Sequence, residues 1–134
     1  MPRKTAVILV EKLLQVFVDK NGRRPRILLS STEIIEKQDD LHKLAIQFSD
    51  LGFDVDFAPT FEDTNHLVKQ AIENDVHSIH FVVSAEEKMN PIEDIEEALM
   101  NNDRSNILVT AIETKELNDS FEAEAIVLLK ALQK

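Results

Sequence analysis

The sequence of 134 residues contains no cysteine, tryptophan or tyrosine and only two glycines. Without cysteine, the chain cannot form disulfides, thiolate metal sites or a thiol nucleophile. A formal net charge of −10 repels phosphates, and the shortage of aromatic rings removes stacking platforms for bases. No segment approaches the roughly 20 apolar residues that span a bilayer. We therefore expect a cytoplasmic protein that binds neither nucleic acid nor membrane.

From Arg26 onward, short apolar runs alternate with amphipathic segments. The runs at residues 27–29, 54–57, 78–83 and 106–111 predict four strands, and apolar residues at helical spacing predict a helix after each. This alternation is typical of a parallel sheet covered on both faces, because right-handed crossovers place helices there. We predict an α/β fold, a flavodoxin-like three-layer sandwich with a parallel sheet of about four to five strands.

The N-terminal segment stands outside this alternation. Residues 1–22 predict an additional helix, and residues 23–134 predict the α/β domain. Apolar residues from Ala6 to Val18 cover more than one helical stripe, although their β-branched content leaves a strand at 6–10 as an alternative. A surface this apolar needs cover, either from its own domain or from another chain. We expect a packing or docking helix that serves a protein partner or self-association.

Ligands of open α/β sheets bind beyond the carboxyl ends of the strands. Neither Gly22 nor Gly52 falls in a loop at that edge, so a glycine-rich phosphate loop is not expected. His77 and His80 should point to opposite faces of one strand, one at its edge and one packed, and would make a poor metal pair. The acidic run at 86–97 is more typical of a solvated helix face than of a metal site. No nucleophile signature is present, so we predict neither catalytic nor metal-binding residues.

Three segments of the chain resemble a known family. The stretches RRPRILL (23–29), FSDLGFDVDFAPTF (48–61) and KQAIENDVHSIHFVVS (69–84) are similar to the cobalamin (B12)-binding domain of methylmalonyl-CoA mutase and related B12-dependent isomerases. The likeness runs from residue 23 to about residue 110 without a gap. It implies the flavodoxin-like fold that periodicity predicts independently. It also implies a cobalamin site at the carboxyl edge of the sheet.

The residues that would hold cobalt are missing at the matching positions. The family carries Asp-x-His-x-x-Gly in the loop after the first strand, where the histidine binds cobalt and the aspartate orients the imidazole. In register, the corresponding residues here are Ile35, Lys37 and Asp40. A protonated lysine is a poor cobalt ligand, and isoleucine cannot accept a hydrogen bond from an imidazole. The resemblance therefore implies a degenerate site.

Two further elements depart from the family pattern. The resemblance places a Ser-x-Leu element near Ser84 and a Gly-Gly pair where Ile112 and Glu113 stand, and small residues there admit the nucleotide tail of cobalamin. The fifth βα unit also looks shortened. We therefore predict a non-catalytic homologue without cofactor that serves as an accessory subunit or interaction module, plausibly beside a mutase-type subunit. Two alternatives stay open: a cobalamin-binding subunit that works without a histidine ligand, and a regulatory domain that binds another ligand at this edge.

Overall fold

A computed structural model of the chain describes residues 2–31, 38–58, 63–83, 92–113 and 121–132. Within these ranges helices and strands alternate after an N-terminal helix. The elements are α1 (Pro2–Asn21), β1 (Arg26–Ser31), α2 (Gln38–Leu51), β2 (Asp54–Ala58), α3 (Thr64–Glu73), β3 (Ser78–Val83), α4 (Ile92–Asn101), β4 (Leu108–Glu113) and α5 (Phe121–Leu132). None of the helices in these ranges has the length and apolarity that a membrane crossing requires.

The four strands form one parallel sheet in the order β2-β1-β3-β4. The α/β fold with a parallel sheet is thereby confirmed, and the strand order is the flavodoxin-like one. Since the chain leaves β1 toward one side and β3 toward the other, a crevice is expected between their carboxyl ends. The predicted alternative of a strand at residues 6–10 is wrong, because α1 is helical throughout that stretch.

The fourth strand begins two residues later than predicted. Asn106 lies in a turn, in which the Arg104 N–H donates to the Leu99 carbonyl and the Ile107 N–H donates to the Arg104 carbonyl. Asp103 has φ 59° in the same connection. These hydrogen bonds hold the chain in a turn up to Ile107, and the ladder with β3 starts at Leu108.

Two apolar clusters lie on opposite faces of the sheet, because successive strand residues point to opposite sides. Ile27 and Leu29 of β1 face α1, α2 and α5, whereas Leu28 faces α3 and α4. The first cluster contains Val10, Leu14, Ile27, Leu29, Leu44, Phe48, Phe53, Ala125, Leu128 and Leu129. The second contains Leu28, Ala58, Leu67, Val68, Ala71, Val76, Ile79, Phe81, Ile95, Leu99 and Ile107.

Helix α1 packs into the first cluster with one stripe only. Val10, Leu14 and Phe17 are buried, whereas the side chains of Ile8 and Val16 are 45% and 42% exposed. The helix therefore both packs on the domain and leaves apolar surface uncovered. The division of the chain between residues 22 and 23 stays a prediction.

Candidate functional site

The carboxyl edge of the sheet is the place where this fold is expected to bind ligands. Ser30 lies there, one residue before the end of β1, between Ala58 of β2 and Phe81 of β3 in the ladder. Its side chain is fully buried, and its Oγ has no hydrogen-bond partner among the described residues. A buried hydroxyl without a partner is unfavourable, so this position could serve a polar group of a ligand.

The residues that match the lost motif are only partly described. Ile35, Lys37 and Ser84 lie outside the described residues, and Asp40 lies in the first turn of α2. Ile112 and Glu113 are the last two residues of β4 and pair with Val82 and Val83. The predicted end of the fourth strand at residue 111 is therefore wrong, because the ladder with β3 continues through both residues.

His42, which forms an Asp-x-His pair with Asp40 in the sequence, was not among the predicted site residues. The signal was present, but the pair lies outside the register of the resemblance. In the structure both positions belong to α2, and the His42 ring lies 4.5 Å from that of Phe57, measured between centroids. Positions i and i+2 of a helix do not face each other, so this backbone holds the two positions apart. The helix does not favour an aspartate-oriented imidazole here.

A cleft of about 720 Å³ runs beside the edge strand β2. Its walls combine apolar residues of α2 and β2, among them Ile46 and Phe57, with Arg24 and Arg26. Arg26 donates from Nε and Nη2 to the two carboxylate oxygens of Asp56, at 2.8 and 3.0 Å, and this pairing raises its pKa. Asp56 neutralises Arg26, and Asp54 lies 3.9 Å from Arg24, so both arginines of the cleft have an acidic residue beside them.

His80 lies in the core of the face that carries α2. Its side chain is fully buried, its Nδ1 is hydrogen-bonded to Thr110 Oγ1, and its ring lies edge-on to Phe48 with centroids 5.7 Å apart. Burial lowers its pKa to about 4, so the imidazole is neutral at physiological pH. A neutral, enclosed imidazole of this kind is a structural group.

His77 immediately precedes β3 and is partly exposed. Its Nδ1 accepts the backbone N–H of Arg26 at 2.9 Å, and its ring contacts Phe17 edge-on. Burial, followed by the charge of Arg23, lowers its pKa. The prediction of one histidine at the strand edge and one packed is confirmed. The predicted placement on opposite faces of one strand is wrong, because His77 precedes β3 and contacts α1, which lies on the same face as His80. The described part of the chain also contains no cluster of three or more potential metal ligands.

Asp75 joins three turns at the amino edge of the sheet. It has φ 51°, and its carboxylate accepts from Arg23 at 3.1 Å and from Arg104 at 2.6 Å. The hydrogen bond from Arg104 is the main cause of its lowered pKa. The cluster lies opposite the expected ligand edge, and its contacts are those of a structural tie.

Comparison with known proteins found no matching family model. Methylmalonyl-CoA mutase of Escherichia coli (strain K12) is 37% identical over 95 residues, which cover 71% of this chain and 13% of that protein. The methylmalonyl-CoA mutase large subunit of Porphyromonas gingivalis is 33% identical over 101 residues, or 75% of this chain and 14% of that protein. The human mitochondrial methylmalonyl-CoA mutase is 35% identical over 68 residues, or 51% and 9%. The chain thus matches only a small part of each relative.

Proposed function

We propose that this chain, a relative of the methylmalonyl-CoA mutases, is a homologue of their cobalamin-binding domain and no longer binds the cofactor. It would act as a non-catalytic accessory subunit or protein-interaction module. A mutase-type subunit is the partner that its ancestry favours. The chain spans about a tenth of its relatives' length, so it would contribute a binding surface rather than a reaction centre.

The chemistry of the donor set carries this proposal. At the positions that the resemblance assigns to the cobalt ligand and its orienting partner, the chain has Lys37 and Ile35. An ammonium has no lone pair for a metal, and an alkyl side chain accepts no hydrogen bond. The Asp40 and His42 pair does not substitute for them, because both positions belong to α2. These residues do not fit a histidine-ligated cobalamin.

The second support is steric and concerns the carboxyl end of β4. Ile112 and Glu113 stand where the family has two glycines, and both belong to the β4 ladder. Glycine has no side chain, whereas isoleucine and glutamate do, so we expect less room for the nucleotide tail here. The tail would therefore have to displace side chains or bind elsewhere.

Corrinoid binding tests the lost site directly. The purified chain is mixed with hydroxocobalamin and passed through a gel-filtration column, and the visible spectrum of the protein peak is recorded. We expect a colourless peak. A matched variant that carries Ile35→Asp, Lys37→His and Asp40→Gly shows whether the motif alone restores binding, and the Escherichia coli relative serves as the comparison protein. Stoichiometric corrinoid on the unmodified chain would refute the loss of binding.

The partner is tested separately. Among the described residues of α1, Ile8, Leu9 and Val16 are large apolar side chains that the domain leaves exposed, and Ile8 and Val16 are the most exposed of the three. The tagged chain is used to capture proteins from its native host, and mass spectrometry identifies them. We expect a mutase-type chain, lost in an Ile8→Glu, Val16→Glu variant and retained in a Lys12→Glu control. Capture of unrelated proteins only would count against the accessory role.

A second candidate function is a cobalamin-binding subunit that works without the lost histidine. The buried Ser30 Oγ at the carboxyl edge favours this alternative, because a ligand could supply its missing partner. If hydroxocobalamin co-elutes, the His42→Ala variant shows whether the α2 imidazole takes part. Unchanged binding in that variant, together with loss in Ser30→Val, would point to a ligand held through its tail alone.

A further inference from the structure

We propose that β4 pairs with β4 of a second copy of this chain in antiparallel orientation, so that the two four-stranded sheets join into one. The pairing uses the backbone and the charge pattern of β4, whether or not a cofactor binds at the end of that strand. The inference therefore does not depend on the function proposed above, and its test can fail independently of that function.

The two outer strands of the sheet differ in chemistry. Strand β2 alternates acidic residues at its start, Asp54 and Asp56, and charged residues are a common protection of an exposed edge. Strand β4 reads LVTAIE and has no charge before its last residue. Such a sequence is typical of a strand with neighbours on both sides. Yet β4 is the last strand in the described sheet.

The hydrogen bonds of β4 show which groups point outward. The Leu108 N–H donates to the His77 carbonyl, toward β3. Because backbone groups alternate along a strand, the N–H and C=O groups of Val109 and Ala111 point away from β3. Within the described residues, β4 has a ladder partner on its β3 side only. The outer side therefore presents a row of donors and acceptors that suits another strand.

A second copy meets the geometric requirement at β4. In an antiparallel pair, directly opposite residues are either both hydrogen-bonded to the partner or both not. A two-fold axis through Ala111 satisfies this rule and sets Val109 opposite Glu113 and Thr110 opposite Ile112. No acidic residue then faces another acidic residue. The strand is therefore complementary to itself in charge.

The same operation is less favourable at β2. The Asp54 N–H donates to the Pro25 carbonyl, so the groups of Val55 and Phe57 point outward. A two-fold axis through Asp56 sets that residue opposite its own copy, and an axis through Val55 sets Asp54 opposite Asp56. An axis through Phe57 avoids both acidic pairs, but within β2 it pairs only residues 56–58, whereas the axis through Ala111 pairs residues 109–113 of β4. Like charges directly opposite each other destabilise a strand pair. The contrast between the two edges selects β4.

Net charge predicts how the pairing depends on salt. Each chain has a formal charge of −10, so two copies repel each other. Salt screens this repulsion, with a Debye length of about 10 Å at 0.1 M. We expect the fraction of dimer to rise between about 0.01 M and 0.15 M salt. An interface held by ion pairs would show the opposite trend, because salt weakens attraction between unlike charges.

The test combines the mass of the full chain in solution with residue-resolved amide hydrogen exchange. Sedimentation is measured over a concentration series, and exchange is followed by NMR. We expect a dimer at high concentration, with slow exchange at Val109 and Ala111 that becomes fast on dilution. The outward amides of Val55 and Phe57 should exchange fast at every concentration. A monomer throughout, or a dimer with fast exchange at Val109 and Ala111, would overturn the proposal.

Matched proline variants separate edge pairing from general destabilisation. Ala111→Pro removes an outward N–H of β4 and leaves the β3 ladder its donors, and Val55→Pro does the same on β2. We expect the dimer Kd to rise at least about tenfold in Ala111→Pro and to stay unchanged in Val55→Pro. Equal weakening in both variants would contradict the assignment to β4. If Ala111→Pro does not fold, the exchange rates at Val109 and Ala111 of the unmodified chain show whether β4 is paired in the dimer.

Discussion

Acidification from pH 7 to pH 5 should weaken the fold through His80. Its imidazole is fully buried, and burial lowers its pKa to about 4 from an ordinary value of 6.5. Between these two values the unfolded chain binds a proton that the folded chain does not. The contribution of this group to stability is therefore complete above pH 6.5 and is lost progressively as the pH falls toward 4.

The magnitude follows from the two pKa values. At pH 5 the unfolded imidazole is almost fully protonated and the folded one is mostly neutral, so the loss is about 2 kcal/mol relative to pH 7. Below pH 4 the full effect reaches about 3 kcal/mol. For a domain of this size, such a loss is a sizeable fraction of a total stability of about 5–15 kcal/mol.

Urea unfolding at both pH values measures the effect. Far-UV circular dichroism is the appropriate signal, because the chain has neither tryptophan nor tyrosine. The His80→Gln variant should lose about 2 kcal/mol of the pH dependence, whereas His66→Gln, at an exposed position of α3, should retain it. Since the pKa of His77 is also lowered, the difference between parent and variant isolates His80. The same pH dependence in parent and His80→Gln would refute the reasoning.

Three further outcomes are expected in the same unfolding assay. Gly52→Ala should lower the free energy of unfolding by about 1–2 kcal/mol, because Gly52 has φ 115° and an added Cβ would lie 3.2 Å from a leucine of α1. Gly22→Ala should lower it less, because nothing lies close to the added Cβ at that position. Asp75→Asn should change the free energy of unfolding by no more than about 0.5 kcal/mol, because the ion pairs of Asp75 are exposed and asparagine tolerates a φ of 51°. If Asp75→Ala is more destabilising than Asp75→Asn, the left-handed backbone is the main effect. Phe17→Ala should lower the free energy of unfolding by about 3–5 kcal/mol in one cooperative transition, because Phe17 is buried. Val16→Ala should lower it much less, because Val16 is exposed. A separate early transition would show that α1 unfolds independently.

The spacing of apolar residues predicted the layers of the fold, because the buried residues of each strand and helix are visible in its own sequence. It placed the start of the fourth strand at Asn106, since apolar content alone does not reveal a turn held by carbonyls of α4. It predicted one packed histidine, but the pairing of His80 with Thr110 depends on which strands are neighbours. The cleft beside β2 was not predicted for the same reason: its walls meet only because β2 takes an edge of the sheet.

Both glycines of this chain precede strands at the amino edge of the sheet, and both have positive φ. Because the sequence has only these two glycines, the carboxyl edge of the sheet contains none. Every residue that could contact a ligand at that edge therefore carries a side chain. Its selectivity should then be alterable by single side-chain exchanges, without any change in the path of the chain.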